Sequence, residues 1–164
     1  DGLEPGVELG PVQNRPQFER VLSLMNDALR RGGRALVGGR ALDRPGYFIA
    51  PTIVAGVAEG TPLVDEEQFG PVLPLLAYSD IDEAVARANA TRYGLGASVW
   101  SRNAMRASEI ARRLEAGTVW VNGHGGAAPD IPFGGFKESG FGRSMGLIGL
   151  RSYTEPRVLH LAPS

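Results

Sequence analysis

Two stretches of this 164-residue chain hold residue types and spacings that could do chemistry. The first is Glu66-Glu67-Gln68-Phe69-Gly70-Pro71. Neighbouring carboxylates point to different sides of the backbone, so Glu66 and Glu67 are not a paired acid and base. One carboxylate beside an aromatic and a rigid Gly-Pro turn could instead accept hydrogen bonds from hydroxyls such as those of a ribose. A solvated charge pair ahead of a strand is the plainer reading. The second is the run from Asn122 to Gly146, with eight glycines and two prolines in twenty-five residues. Connections of that length are usually functional or disordered, and Ile131, Phe133, Phe136 and Phe141 argue for order.

Tempting motifs inside that run fail on context. Gly123-His124-Gly125-Gly126-Ala127-Ala128 follows a strand pattern and fits G-x-G-x-x-A, but a dinucleotide fingerprint must open a helix, and Pro129 and Pro132 follow instead. Gly142-Arg143-Ser144-Met145-Gly146 fits G-x-S-x-G, which leaves a serine hydrolase using Ser144 as an alternative. A nucleophile elbow needs a strand before the serine, and Glu155 and His160 would be its only ordered partners, both on one short tail. Lys137 and Arg143 could bind an anion, although loop cations are more often simply solvated. His124 and His160 are the only histidines, and with no ligand cluster at metal spacing no metal site is expected.

Composition narrows the function classes further. A net charge of −1 gives no global field for nucleic acid or an acidic membrane. Apolar runs are only a few residues long, too short to span a bilayer. The absence of cysteine removes disulfides, thiolate metal sites and a cysteine nucleophile from this chain, and makes the cytoplasm the default compartment. The first twelve residues, rich in glycine and proline and without hydrophobic period, look like a loop entered from elsewhere, so a fragment of a longer protein is expected.

The elements that must position these residues read as α/β. Asn14 to Arg31 is a helix with Phe18, Val21, Leu22, Met25 and Leu29 on one face, capped by Asn14 with Gln17 three positions on. Short strands follow at Ala35–Val37 and within Tyr47–Val57, where Pro51 marks an edge or break. Then come a strand over Val72–Tyr78, a helix over Asp80–Thr91 with an Asp80/Glu83 capping box, a strand over Leu95–Trp100, a helix over Asn103–Ala116 and a strand over Thr118–Val121. This β-α-β-α-β order predicts a parallel sheet with flanking helices. Ligands of open parallel sheets sit beyond strand carboxyl ends, which is where the glycine-rich loop begins. Gly146–Leu150 reads as a helical turn and Pro156–Ala162 as a terminal strand.

Taken together, four stretches resemble the aldehyde dehydrogenase family in its order: Glu66-Glu67-Gln68-Phe69-Gly70-Pro71-Val72 (E-E-x-F-G-P-V), Asn89-Ala90-Thr91-Arg92-Tyr93-Gly94-Leu95 (N-x-x-x-Y-G-L), Gly117-Thr118-Val119-Trp120-Val121-Asn122 (G-T-V-W-V-N), and Pro132 through Arg143 (P-F-G-G-x-K-x-S-G-x-G-R). The resemblance covers nearly the whole chain but only the C-terminal third of the family. It implies part of a catalytic domain over residues 1–151 and an oligomerisation-arm strand and tail over 152–164. It further implies oxidation of an aldehyde to an acid with NAD or NADP, through a cysteine thiohemiacetal that a glutamate-activated water resolves. Both the cysteine and that glutamate would lie upstream, so no catalytic residue is expected in this chain, and the chain alone should be inactive. Glu67 is similar to the glutamate that holds the nicotinamide ribose, Phe69 to the aromatic beside the nicotinamide ring, and Phe133 to an aromatic of the aldehyde tunnel. Asn122 matches a position near the catalytic centre. The implied parent is a homodimer or homotetramer, with the fragment itself prone to self-associate. Ser144 departs from the pattern, because many members carry a glutamate there that relays protons and a serine cannot store one near neutral pH.

Overall fold

Asn14 opens the first helix as read: its side-chain oxygen accepts from the Gln17 backbone N–H at 2.9 Å. The computed structural model describes residues 2–163. They divide into two units, one running to Ala77 and one beginning at Tyr78.

In the first unit, α1 spans Arg15–Arg30. Its buried stripe is Val21, Leu24, Met25 and Ala28, with Phe18, Leu22 and Leu29 flanking it partly buried, so the expected apolar face is rotated by part of a turn. Val12, Ile49, Val54, Leu63 and Val72 complete this core. The helix stops at Gly32-Gly33, where the Gly33 N–H bonds the Ala28 carbonyl at 2.9 Å and a side chain would run into that same oxygen. Arg15 bonds Glu19 one turn on at 2.8 Å, and that hydrogen bond and charge raise the guanidinium pKa above its ordinary value.

Strand β1 (Arg34–Val37) pairs antiparallel with β2 (Thr52–Ala55), and β2 pairs in parallel with β3 (Val72–Leu75). The order is β1-β2-β3, which puts β3 and its Pro74 at an edge, where a missing N–H is tolerated. Pro51 precedes β2 rather than interrupting it. Thr52 is the one buried polar residue among the described residues, and its hydroxyl is satisfied, donating to Ala50 O at 2.7 Å and accepting from Gly39 N at 2.9 Å. A one-turn helix, α2 (Pro62–Asp65), is absent from the sequence reading. Proline in its first turn suits a helix start, and Leu63 anchors it in the core.

In the second unit, Asp80 caps α3 (Ile81–Asn89) by accepting from Glu83 N at 2.9 Å. β4 (Gly96–Val99) and β5 (Thr118–Val121) pair in parallel, and α4 (Ala104–Ala111) is the crossover between them. α4 is shorter than the sequence pattern suggests. Asn103 caps it, and Ala107 and Ala111 are its buried positions. α5 occupies Gly146–Arg151. The α/β class and the β-α-β-α-β order hold. The hydrogen bonding, however, is divided between two small sheets, because β3 takes β2 as its partner and β4 takes β5. Residues 156–162 lie in no strand in this single chain, and Val158, Leu159 and Leu161 are exposed. Among the described residues no helix is long and apolar enough to cross a membrane.

Candidate functional site

The turn from Glu66 to Val72 is held from below by α1. Arg20 pairs with the Glu66 carboxylate at 3.0 Å and reaches the Glu67 backbone oxygen at 3.4 Å. Gln17 donates its side-chain N–H to the Gln68 carbonyl, so its amide braces the turn. Gln68 in turn donates to the Val72 carbonyl. Gly70 sits against Val21, whose methyl group would be 2.6 Å from any added Cβ. Only glycine allows this close approach of turn to helix.

This scaffold separates the two adjacent carboxylates. Glu66 is committed to Arg20. The Glu67 side chain is exposed and makes no hydrogen bond or ion pair with the described residues. Phe69, two residues on, has φ 53°, a backbone region uncommon for an aromatic residue, and is 75% exposed. A large apolar ring turned outward from a braced, strained turn is expensive to keep for packing alone. Chemically, the pair offers open carboxylate lone pairs next to a flat apolar surface.

The glycine-rich loop of the second unit is ordered by long-range bonds. The Gly94 carbonyl accepts from both Gly117 N at 3.0 Å and Phe136 N at 2.8 Å. Gly94 N donates to the Ser139 hydroxyl at 2.9 Å, and Glu138 N donates to Arg92 O at 3.0 Å. A side chain at Gly117 would overlap the Gly134 carbonyl oxygen. Phe133, half-buried, forms an isolated antiparallel bridge with Ser144.

Both cations of the loop are engaged inside the protein, which corrects the expectation of free or solvated charges. Lys137 reaches Asn89 O at 2.6 Å, Thr91 O at 3.2 Å and the Glu115 carboxylate at 2.8 Å. Arg143 donates to Gly135 O at 3.0 Å and Gly142 O at 2.6 Å, and its guanidinium stacks over the Phe136 ring at 5.1 Å. No local pattern could reveal the Lys137 partners, since its contacts to Asn89 and Thr91 span 48 and 46 positions.

Asn122 has φ 53° and an exposed side chain whose oxygen accepts from Ser101 N at 2.8 Å. It therefore ties the end of β5 to the segment after β4, with its amide N–H groups left to donate. Gly123 through Ala128 opens no helix, so the dinucleotide fingerprint is excluded at that place. The Ser144 hydroxyl donates to the Phe133 carbonyl at 3.2 Å, and among the described residues no histidine bonds it. A nucleophilic serine needs a base within reach, and the elbow reading loses its ground. His124 instead packs its ring against Trp120, with centroids 5.0 Å apart.

Comparison with known proteins agrees with this arrangement. The model of the aldehyde dehydrogenase family matches residues 1–159. The chain is 42% identical over 161 residues to the mitochondrial aldehyde dehydrogenase of Leishmania tarentolae, covering 98% of this chain and 32% of that protein. It is 40% identical over 161 residues to a betaine aldehyde dehydrogenase of Cereibacter sphaeroides, covering 98% and 33%. Among solved structures, the NAD+ complex of the Bacillus cereus aldehyde dehydrogenase superposes with TM-score 0.88 at 39% identity over 94% of this chain and 31% of that one. Succinic semialdehyde dehydrogenase from Streptococcus pyogenes with NADP+ superposes with TM-score 0.93 at 34% identity over 99% and 36%. The chain thus spans about a third of the length of the relatives it matches. The chain belongs to the aldehyde dehydrogenase family.

Proposed function

We propose that this chain is the C-terminal third of an NAD(P)-dependent aldehyde dehydrogenase and that its parent oxidises an aldehyde to a carboxylic acid. The observation that carries the reading is the Glu67–Phe69 turn: an uncommitted carboxylate next to an outward aromatic, on a scaffold braced by Gln17 and Arg20. These residues fit a dinucleotide. Glu67 can accept from the vicinal hydroxyls of the nicotinamide ribose, and Phe69 can cover one side of the ring and keep water from it. NAD or NADP, when bound, supplies the hydride acceptor. Relatives solved with NAD+ and with NADP+ support either choice.

In the second unit, Phe133 is the aromatic that lines the approach of the aldehyde. The Asn122 amide, its oxygen already engaged by Ser101, offers N–H donors toward a substrate oxygen. Ser144 does not titrate near neutral pH and so cannot store and release a proton, and that relay falls to groups outside this chain. The nucleophile does too, because the chain has no cysteine. Residues 1–151 belong to the catalytic domain on this reading. Residues 152–164 are the oligomerisation arm and tail, and 156–162 form its strand only when a partner subunit supplies an edge, in a cytoplasmic homodimer or homotetramer.

The test is steady-state kinetics of the parent protein over a broad aldehyde panel with NAD+ and NADP+. The parent reduces one of them in the presence of aldehyde, and the 164-residue chain alone does not. Glu67→Gln raises the cofactor KM by roughly 10-fold or more, as expected for hydrogen bonds to a charged group. A parent that binds neither cofactor and oxidises no aldehyde would overturn the assignment in favour of a non-catalytic scaffold of the same fold.

A further inference from the structure

The Lys137 ammonium has three N–H donors and meets three acceptors: Asn89 O at 2.6 Å, Thr91 O at 3.2 Å and Glu115 Oε2 at 2.8 Å. Two of these are carbonyls at and just beyond the end of α3, where helical oxygens lack partners and a cation is favoured. Glu115 is itself set in place by Asn89, whose side-chain oxygen accepts from Glu115 N at 2.9 Å and whose amide donates to Arg113 O at 2.8 Å. Lys137 therefore plugs into a socket that α3 and the end of the α4 region build together.

This plug sits four residues from Phe133. Lys137 starts a single 3-10 turn, Lys137–Ser139, and has φ 54°, which a non-glycine side chain adopts only when it is held. Its neighbours are fixed to the same socket, Phe136 N on Gly94 O and Glu138 N on Arg92 O. Only Gly134 and Gly135 separate that anchored turn from Phe133, and glycines transmit no side-chain packing of their own. The place of Phe133 is then set from two ends, by its bridge to Ser144 and by the turn that Lys137 secures.

The geometry points to Lys137 as a positioning residue for Phe133: its three-way tether to Asn89, Thr91 and Glu115 sets how firmly the aromatic is held toward the aldehyde. This rests on the proposed role of Phe133 as a wall of the aldehyde site. An arginine cannot replace it, because a planar guanidinium does not converge on three acceptors around one nitrogen.

Two measurements test it. In the 164-residue chain, amide hydrogen exchange of Phe133, Phe136 and Ser144 is compared between wild type and Lys137→Met, with the amides of β4 and β5 as internal reference. Exchange at the three loop amides should accelerate roughly 10- to 100-fold, the scale of a lost hydrogen bond to a charged group, while the strand amides stay put. In the parent, Lys137→Met and Lys137→Arg should raise the aldehyde KM about 5- to 10-fold with kcat within about twofold. If Lys137→Met does not fold, Glu115→Gln, which removes the charge of the ion pair but keeps an amide oxygen that can accept, should give a smaller acceleration at the same amides. Unchanged loop exchange, or an active parent with an unmoved aldehyde KM, overturns the inference. A parent that oxidises no aldehyde overturns the proposed function instead, and the exchange experiment alone then decides whether Lys137 holds the loop.

Discussion

Phe133 and Ser144 exchange both of their backbone hydrogen bonds, Phe133 N to Ser144 O at 2.8 Å and Ser144 N to Phe133 O at 2.9 Å, and the Ser144 hydroxyl adds a third contact to the same Phe133 carbonyl at 3.2 Å. The glycine-rich run is therefore closed on itself where it carries its aromatic. Ser144 fastens the loop at this point. Ser144→Ala should lower stability by about 0.5–1 kcal/mol, the net worth of one exposed hydrogen bond, or about 1–4 °C in Tm for a chain of this size. Thermal denaturation measures this. A fluorophosphonate probe should leave Ser144 unlabelled, and labelling there would restore the hydrolase reading.

Gly117 and Gly123 make a contrasting pair. A methyl group at Gly117 overlaps the Gly134 carbonyl, whereas at Gly123 nothing lies within 4 Å. Gly117→Ala should cost about 3 kcal/mol, the upper end of overpacking penalties, and free the loop from the Gly94 oxygen. Gly123→Ala should stay within about 0.5 kcal/mol. Paired denaturant melts would expose any reversal of that order.

At Phe69 fold stability and binding should part company. The ring is 75% exposed, so its removal forfeits little burial, and a glycine would relieve φ 53° at a backbone-entropy cost of similar size, about 1 kcal/mol each way. Phe69→Gly should leave the Tm of the chain nearly unchanged. In the parent it should weaken NAD(P) binding roughly 10-fold, the loss of a large aromatic contact. Equal losses in Tm and in affinity would mean that the ring is structural.

The chain ends in exposed apolar residues, among them Leu150, Tyr153, Val158, Leu159 and Leu161. Apolar surface of this extent favours association. Light scattering of the 164-residue chain should show oligomers at high concentration, and removal of residues 153–164 should shift them toward monomer. A clean monomer before truncation would count against the tail as an association element.

What the sequence made readable was local. Asn14 and Asp80 signal their helices because an N-cap oxygen and the backbone N–H that donates to it lie three residues apart, and the 3.6-residue spacing of Phe18, Val21, Leu22, Met25 and Leu29 follows from one helix face meeting a core. The motif around Glu67 and Phe69 was recognisable as a string of residue types. What separates Glu66 from Glu67, though, is Arg20, forty-six positions away. The choice of β2 as partner for β3, the one-turn helix at Pro62 and the socket of Lys137 are likewise set by contacts distant in sequence, which periodicity does not encode. Arg143 bonds within its own loop, to Gly135 and Gly142, in an irregular fold of the chain that no helical or strand period signals. Residues 156–162 show the opposite limit: their strand-like alternation is unpaired in this single chain.

The Gly94 carbonyl, which accepts from Gly117 and from Phe136, has a consequence for how this protein can be recombined. One oxygen atom is the meeting point of three motifs spread from Asn89 to Arg143. A chimera whose crossover falls inside that interval would bring together halves shaped for different junctions, even if every motif survived letter for letter. Swaps with a homologue should instead carry residues 89–144 as one cassette, with breakpoints in the chain before α3 or after α5.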